Sequence, residues 1–118
     1  MSKNLKEMTK KKMLEIIEDL GWAVYESEQD GQTYYELEKY SDAGEDFICT
    51  LCGNTPKEVA KDAVDYYQDF DVDEHVKMVM NMNGAPSLSV LVRDAEYIEK
   101  MLEQLAMSLA QGKAISMD

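Results

Sequence analysis

The sequence predicts one α+β domain: a three-stranded antiparallel meander, a helix before it, and three C-terminal helices packed on one of its faces. Three observations carry that reading. The chain has 118 residues, the length of a single domain. Residues 22–52 alternate between apolar and polar around an Asp-Gly turn, and from residue 55 onward apolar residues recur at three- and four-residue intervals behind helix-capping signatures.

Met13, Ile16, Ile17 and Leu20 share one helical face, and Gly21 follows as the left-handed residue that ends a helix. Lys10, Lys11 and Lys12 fall in the first turns of this helix or ahead of them, the unfavourable end of the dipole for cations, so they are expected to be solvated and residues 1–8 frayed. Trp22–Glu28 and Thr33–Tyr40 flank Asp30-Gly31, the pair that best fits a type I′ hairpin turn. With those two as the loop, Gln29 faces Gln32, Glu26 faces Tyr35, Val24 faces Leu37 and Trp22 faces Lys39. One face then holds Trp22, Val24, Tyr35 and Leu37, the other Tyr25, Tyr34, Glu36, Glu38 and Tyr40. A turn at Ser41–Gly44 leads to a third strand, Phe47–Cys52, with Phe47, Cys49 and Leu51 on one side.

Thr55, Pro56 and Glu58 open the second helix as N-cap, first helical residue and capping box, and Val59, Ala63, Tyr66, Tyr67 and Phe70 form its apolar side. Asp71 and Glu74 repeat the spacing, which places a third helix from there to Asn83-Gly84 with Val72, Val76, Val79 and Met80 inward. Pro86 and Ser87 precede the longest helix, ending near Gln111. Its Leu88, Leu91, Ala95, Ile98, Leu102, Leu105 and Leu109 follow three heptads, and Val92, Met101 and Ala106 widen the strip towards an intramolecular core. Residues 113–118 are expected to be a loose tail.

Charge is the outstanding compositional feature. Asp and Glu number 24 against 12 Lys and Arg, a net −12. Residues 1–12 carry +4, from five lysines and Glu7, leaving −16 on residues 13–118. A field of that sign repels phosphate and anionic lipid and steers basic partners in, so neither nucleic acid nor membrane is an expected ligand. The basic start runs into Met8, Met13, Ile16 and Ile17 interleaved with Glu and Lys, not into the apolar core of an export signal. Cys49 and Cys52 are then expected as reduced thiols in a cytoplasm.

No motif points to catalysis. Cys49-Thr50-Leu51-Cys52 is a CxxC, but in a strand a three-residue offset sends the thiols to opposite faces, away from any helix N-terminus that would activate one. Zinc needs two further ligands and His75 is the only imidazole. Asp69, Asp71 and Asp73 mimic the first ligand positions of a calcium loop, yet Glu74 stands where the turn glycine belongs and Met80 where the bidentate glutamate does. Helix capping explains these aspartates, and neither metal nor cofactor is expected. His75 has no nucleophile or orienting partner at any recognisable spacing.

Glu58, Asp62, Asp65 and Asp69 fall on one side of the second helix, stepping about 4.5–6 Å, close to successive phosphates on a nucleic-acid strand. Glu28, Glu36 and Glu38 on the outer sheet face, with Asp71, Asp73 and Glu74, extend the acidic area. Such an area serves solubility or imitates phosphate toward a basic groove. Met78, Met80 and Met82 are gap-fillers or an adaptable contact surface.

Lys39–Phe47, Asp69–His75 and Asp94–Leu102 together resemble small acidic proteins encoded by phages and mobile elements of gut Firmicutes, over most of the chain. Cys49 and Cys52 are not part of that pattern, and the resemblance carries over no site residue. In kind, an acidic, motif-free domain of this size is similar to the DNA-mimicking anti-CRISPR proteins. The expectation is a non-enzymatic module whose Tyr25, Tyr34, Glu36, Glu38, Tyr40, Glu58, Asp62, Asp65 and Asp69 occupy the basic surface of a nucleic-acid-binding protein, in the sharpest form a Cas nuclease. The alternative is a structural or regulatory adaptor that dimerises through the long helix.

Overall fold

The computed structural model describes residues 8–82, 84 and 86–116. Helix α1 (Lys10–Asp19) precedes strands β1 (Ala23–Gln29), β2 (Gln32–Tyr40) and β3 (Asp46–Cys52), which are followed by α2 (Pro56–Asp69), α3 (Val72–Met80) and α4 (Leu88–Gln111). The strands form one antiparallel sheet in the order β1-β2-β3. All helices supply the core on one face, giving the expected α+β architecture. The shortest dimension, 21 Å, suits one sheet under one helical layer.

Local chemistry sets each boundary. Thr9 caps α1, accepting from Lys12 N at 3.1 Å. At the other end Gly21, at φ +94, lets its own N–H reach Glu18 O and that of Trp22 reach Ile17 O, the paired bonds of a Schellman motif. Lys39 reinforces this end: its half-buried ammonium donates to Leu20 O at 2.7 Å and lies 5.8 Å from the Trp22 ring centroid. Burial lowers its pKa. Lys10, Lys11 and Lys12 are exposed, as expected, and Lys10 also bridges α1 to β1 through Glu26 at 2.6 Å. The frayed start proposed for residues 1–8 lies outside the described residues except at Met8, which packs against the core.

Asp30 at φ 54 and Gly31 at φ 78 make the hairpin loop, and the observed register pairs Gln29 with Gln32, Glu26 with Tyr35 and Val24 with Leu37. Trp22 lies just before β1 and still meets Lys39, through its ring. Gly53 must remain without a side chain: a Cβ there would sit 2.7 Å from Glu58 Cβ and 2.9 Å from Val59 N, where the chain folds back from β3 into α2. Thr55 and Asp71 cap α2 and α3, receiving the N–H groups of Glu58 and Glu74. Helix α3 ends at Met80, with Asn81 as cap, earlier than Asn83-Gly84. Asn83 lies outside the described residues.

Met13, Ile16, Ile17, Trp22, Tyr35, Leu37, Phe47, Cys49, Leu51, Val59 and Ala63 join Ile98, Met101, Leu102, Leu105, Ala106 and Leu109 in one buried cluster. A satellite of Val76, Val79, Leu91 and Ala95 holds α3 on α4. The heptad residues are therefore core, apart from Leu88, which is 56% exposed one residue beyond the Ser87 cap. The C-terminal segment is tied down where it was expected loose: Ile115 donates its N–H to Ser108 Oγ at 3.0 Å and accepts from Gln104 Nε2 at 2.7 Å. Met117 and Asp118 lie outside the described residues. No helix among the described residues is long and apolar enough to cross a membrane.

Candidate partner-binding surface

Because every helix packs on one side, the other face of the sheet is open. Strand pairing arranges it in rows: Tyr40 beside Asp46; Ala23, Glu38 and Ile48; Tyr25, Glu36 and Thr50; Ser27, Tyr34 and Cys52. Tyr25, Tyr40 and Ile48 are 58%, 64% and 45% exposed, large apolar areas that water covers in the free protein. Glu36, Glu38 and Asp46 stand among them, and no cation among the described residues pairs with any of the three. The sheet register brings Glu38 against Asp46. The hydrogen bond they share raises the Glu38 pKa, the Asp46 charge adds to this, and slight burial and Glu36 raise it further. Two carboxyls side by side mark a place where negative charge lacks a counter-charge. Glu28 is corrected here: its position in β1 matches Val24 and Glu26, so it faces the helical side.

The four acids of α2 do not form a free row. Glu58 turns back to accept from Asn54 N at 2.7 Å, and Asp62 accepts from Cys52 N at 2.9 Å, capping the C-terminal end of the outer edge of β3. Asp65 is neutralised in part by Lys61 at 3.1 Å, one helical turn away. Asp69 is exposed and lines a groove of about 470 Å³ with Asp71 and Glu74, opposite Tyr66, Phe70 and Met78. These residues belong to the helical layer, whereas Tyr25, Tyr34, Glu36, Glu38 and Tyr40 share the open sheet face. The expected site thus divides into two surfaces: the sheet face, where Glu36, Glu38 and Asp46 have no cation among the described residues, and the helical layer, where three of the four α2 acids are engaged and Asp69 stays free.

Cys49 and Cys52 are free thiols on opposite faces. Burial pushes the Cys49 thiol up to about 12, and Cys52 is also raised, first by desolvation and then by Asp62, so neither is poised as a thiolate. Among the described residues no three His, Cys, Asp or Glu side chains converge as a metal site.

One constellation escaped the sequence. Asp94 of α4 is 4% exposed, accepting from Ser41 Oγ at 2.9 Å and Ala43 N at 3.0 Å. Ser41 Oγ in turn accepts from Glu45 N at 2.9 Å. The Glu45 carboxylate lies 3.2 Å from Nε2 of buried His75, whose ring is held between Phe47 and Phe70. Polar groups from the β2–β3 loop, α3 and α4 thus lock the loop that leads into Asp46 of β3 onto the helical layer. Separations of 30 to 53 residues hid this network, since no local spacing encodes it.

Glu45 is raised above its ordinary 4.5, mainly by burial and then by its hydrogen bond with Asp94, while His75 pulls it down. A carboxyl raised in the folded state binds its proton more tightly there than when unfolded. Its contribution to stability is complete below 4.5 and is lost as pH rises through the folded value. The urea midpoint is therefore expected to rise from about pH 7 to about pH 5, with Glu45→Gln flattening the rise. A wild-type midpoint that falls over that interval, or a variant with unchanged slope, contradicts the assignment.

No family model, no curated protein and no solved structure matches this chain, so the surface stands on its own geometry.

Proposed function

We propose that this chain is a non-enzymatic binding module whose open sheet face docks on the basic, nucleic-acid-binding surface of a partner protein. The observation that supports this most strongly is the coexistence, on one uncovered face, of exposed Tyr25, Tyr40 and Ile48 with Glu36, Glu38 and Asp46, carboxylates that find no internal cation among the described residues. Tyrosines supply rigid contact area at little entropic cost, and lysines or arginines of a partner would relieve the crowded carboxylates. The resemblance in kind to DNA-mimicking anti-CRISPR proteins gives the sharpest form: inhibition of a Cas nuclease by occupation of its nucleic-acid channel. Two free thiols suit a reducing cytoplasm. The alternative, an adaptor dimerising through α4, draws little support from a helix whose Leu91, Ala95, Ile98, Leu102, Leu105 and Leu109 are buried within the chain.

Pull-down of purified Cas nucleases and other basic nucleic-acid-binding proteins, at low and rising salt, tests the reading. Glu36→Lys with Glu38→Lys is expected to weaken capture by about tenfold or more, and competing nucleic acid to displace the module. Capture by neither class at low salt, or capture indifferent to the reversal, removes it. Reversal of Asp65 and Asp69 is expected to matter less, since those two lie on the helical layer.

A further inference from the structure

We infer that the outer edge of β1 takes an extended, basic segment of the partner as a fourth strand. The inference rests on the reading that the partner is basic and adds a second mode of contact, through backbone rather than side chains.

The sheet has two edges, β1 and β3, and they are treated differently. That of β3 is closed at its C-terminal end, where Asp62 takes the Cys52 N–H. Along β1 no hydrogen-bond partner lies on the outer side among the described residues, and every residue but Val24 is exposed. Which amides point outward follows from Thr33. It donates its N–H to Asn54 Oδ1 and accepts from Gly53 N, both at 3.0 Å, so its polar backbone groups face β3. Its β1 partner Glu28 is thus in a non-hydrogen-bonded pair, and antiparallel alternation turns the N–H and C=O groups of Glu28, Glu26 and Val24 to the open edge.

Side chains then select what can pair there. Glu26 and Glu28 are both exposed beside this edge; Lys10 pairs directly with Glu26 and feels Glu28 only at longer range, so two carboxylates share one ammonium. A second copy laid antiparallel on β1 would bring these acids against their own equivalents, and like charges across strands destabilise pairing. A neutral strand gains only the ladder. A strand carrying lysine or arginine gains the ladder and charge pairing together, while Tyr25, on the other face of β1, offers it an aromatic surface.

The test titrates the full chain with a short peptide alternating lysine and threonine, read by amide hydrogen exchange and NMR shifts, with a glutamate–threonine peptide as comparison. Slowed exchange at the Val24, Glu26 and Glu28 amides with the lysine peptide alone is the expected result. Glu28→Pro removes an outward N–H that the fold does not use, so β2 amides should be unmoved while peptide affinity falls by about tenfold. Glu28→Thr should keep the protection and lessen its salt sensitivity. Exchange in the wild-type chain decides the matter even where the proline variant folds poorly. Equal binding of both peptides, no binding, or the same protection in a self-associated chain without peptide overturns the inference. So do shifts confined to Glu36, Glu38 and Asp46, which would leave the docking face standing without the added strand.

Discussion

Replacing Leu37 with alanine is expected to lower the unfolding free energy by about 2–5 kcal/mol. Leu37 is wholly buried at the middle of β2, on the side opposite Glu36 and Glu38. Its loss removes apolar area from water-free contact and opens a cavity that strands hydrogen-bonded on both sides cannot collapse into. A domain of this size has about 5–15 kcal/mol in total, so the variant should show a clearly lowered urea midpoint at unchanged slope. Leu37→Met, which nearly conserves volume, should lose less than about 1.5 kcal/mol. A Leu37→Ala midpoint within error of wild type would mean that the sheet does not rest on the helices as described.

Asp94→Ala should cost about 2–4 kcal/mol, by a different route. The buried carboxylate accepts from the buried Ser41 Oγ and from the N–H of exposed Ala43, and truncation leaves the Ser41 hydroxyl buried without that acceptor and the loop without its anchor. Part of the loss is offset because a negative neighbour of Glu45 disappears too. Asp94→Asn keeps the shape and one acceptor, so it should fall between wild type and alanine. The pH response ascribed to Glu45 should weaken in both variants, because its hydrogen bond with Asp94 is one of the causes that raise it. Urea titrations at about pH 7 and about pH 5 measure both effects; an Asp94→Ala protein as stable as wild type would show that the loop is held by something else.

These two residues also show what a sequence can disclose. Leu37 was legible because Asp30-Gly31 fixes the hairpin register and period-two alternation then assigns its face. The Thr55 and Asp71 caps were legible because capping chemistry is local, and the six buried heptad residues of α4 because helical periodicity is. Asp94 was not. In the sequence it is one acid among 24, and only the return of the β2–β3 loop to α4 gives it a role. Lys39 reaching Leu20 O and Asp62 reaching Cys52 N escaped for the same reason, since both join residues that only tertiary packing brings together. The regular spacing on α2 predicted one side of a helix correctly, but spacing cannot say that two of its four acids already bond to backbone N–H groups.

Trp22, the chain's single tryptophan, lies 2% exposed behind the sheet, its ring nitrogen without an acceptor among the described residues. Tyr25 and Tyr40 lie on the open side. The molecule therefore separates two optical signals. Indole emission, blue while the ring is dry, should shift to the red only when the core opens. Docking on the open face should leave that emission in place and alter tyrosine emission and absorbance instead. With a tryptophan-free partner, folding and binding can be followed in one sample without attaching a label.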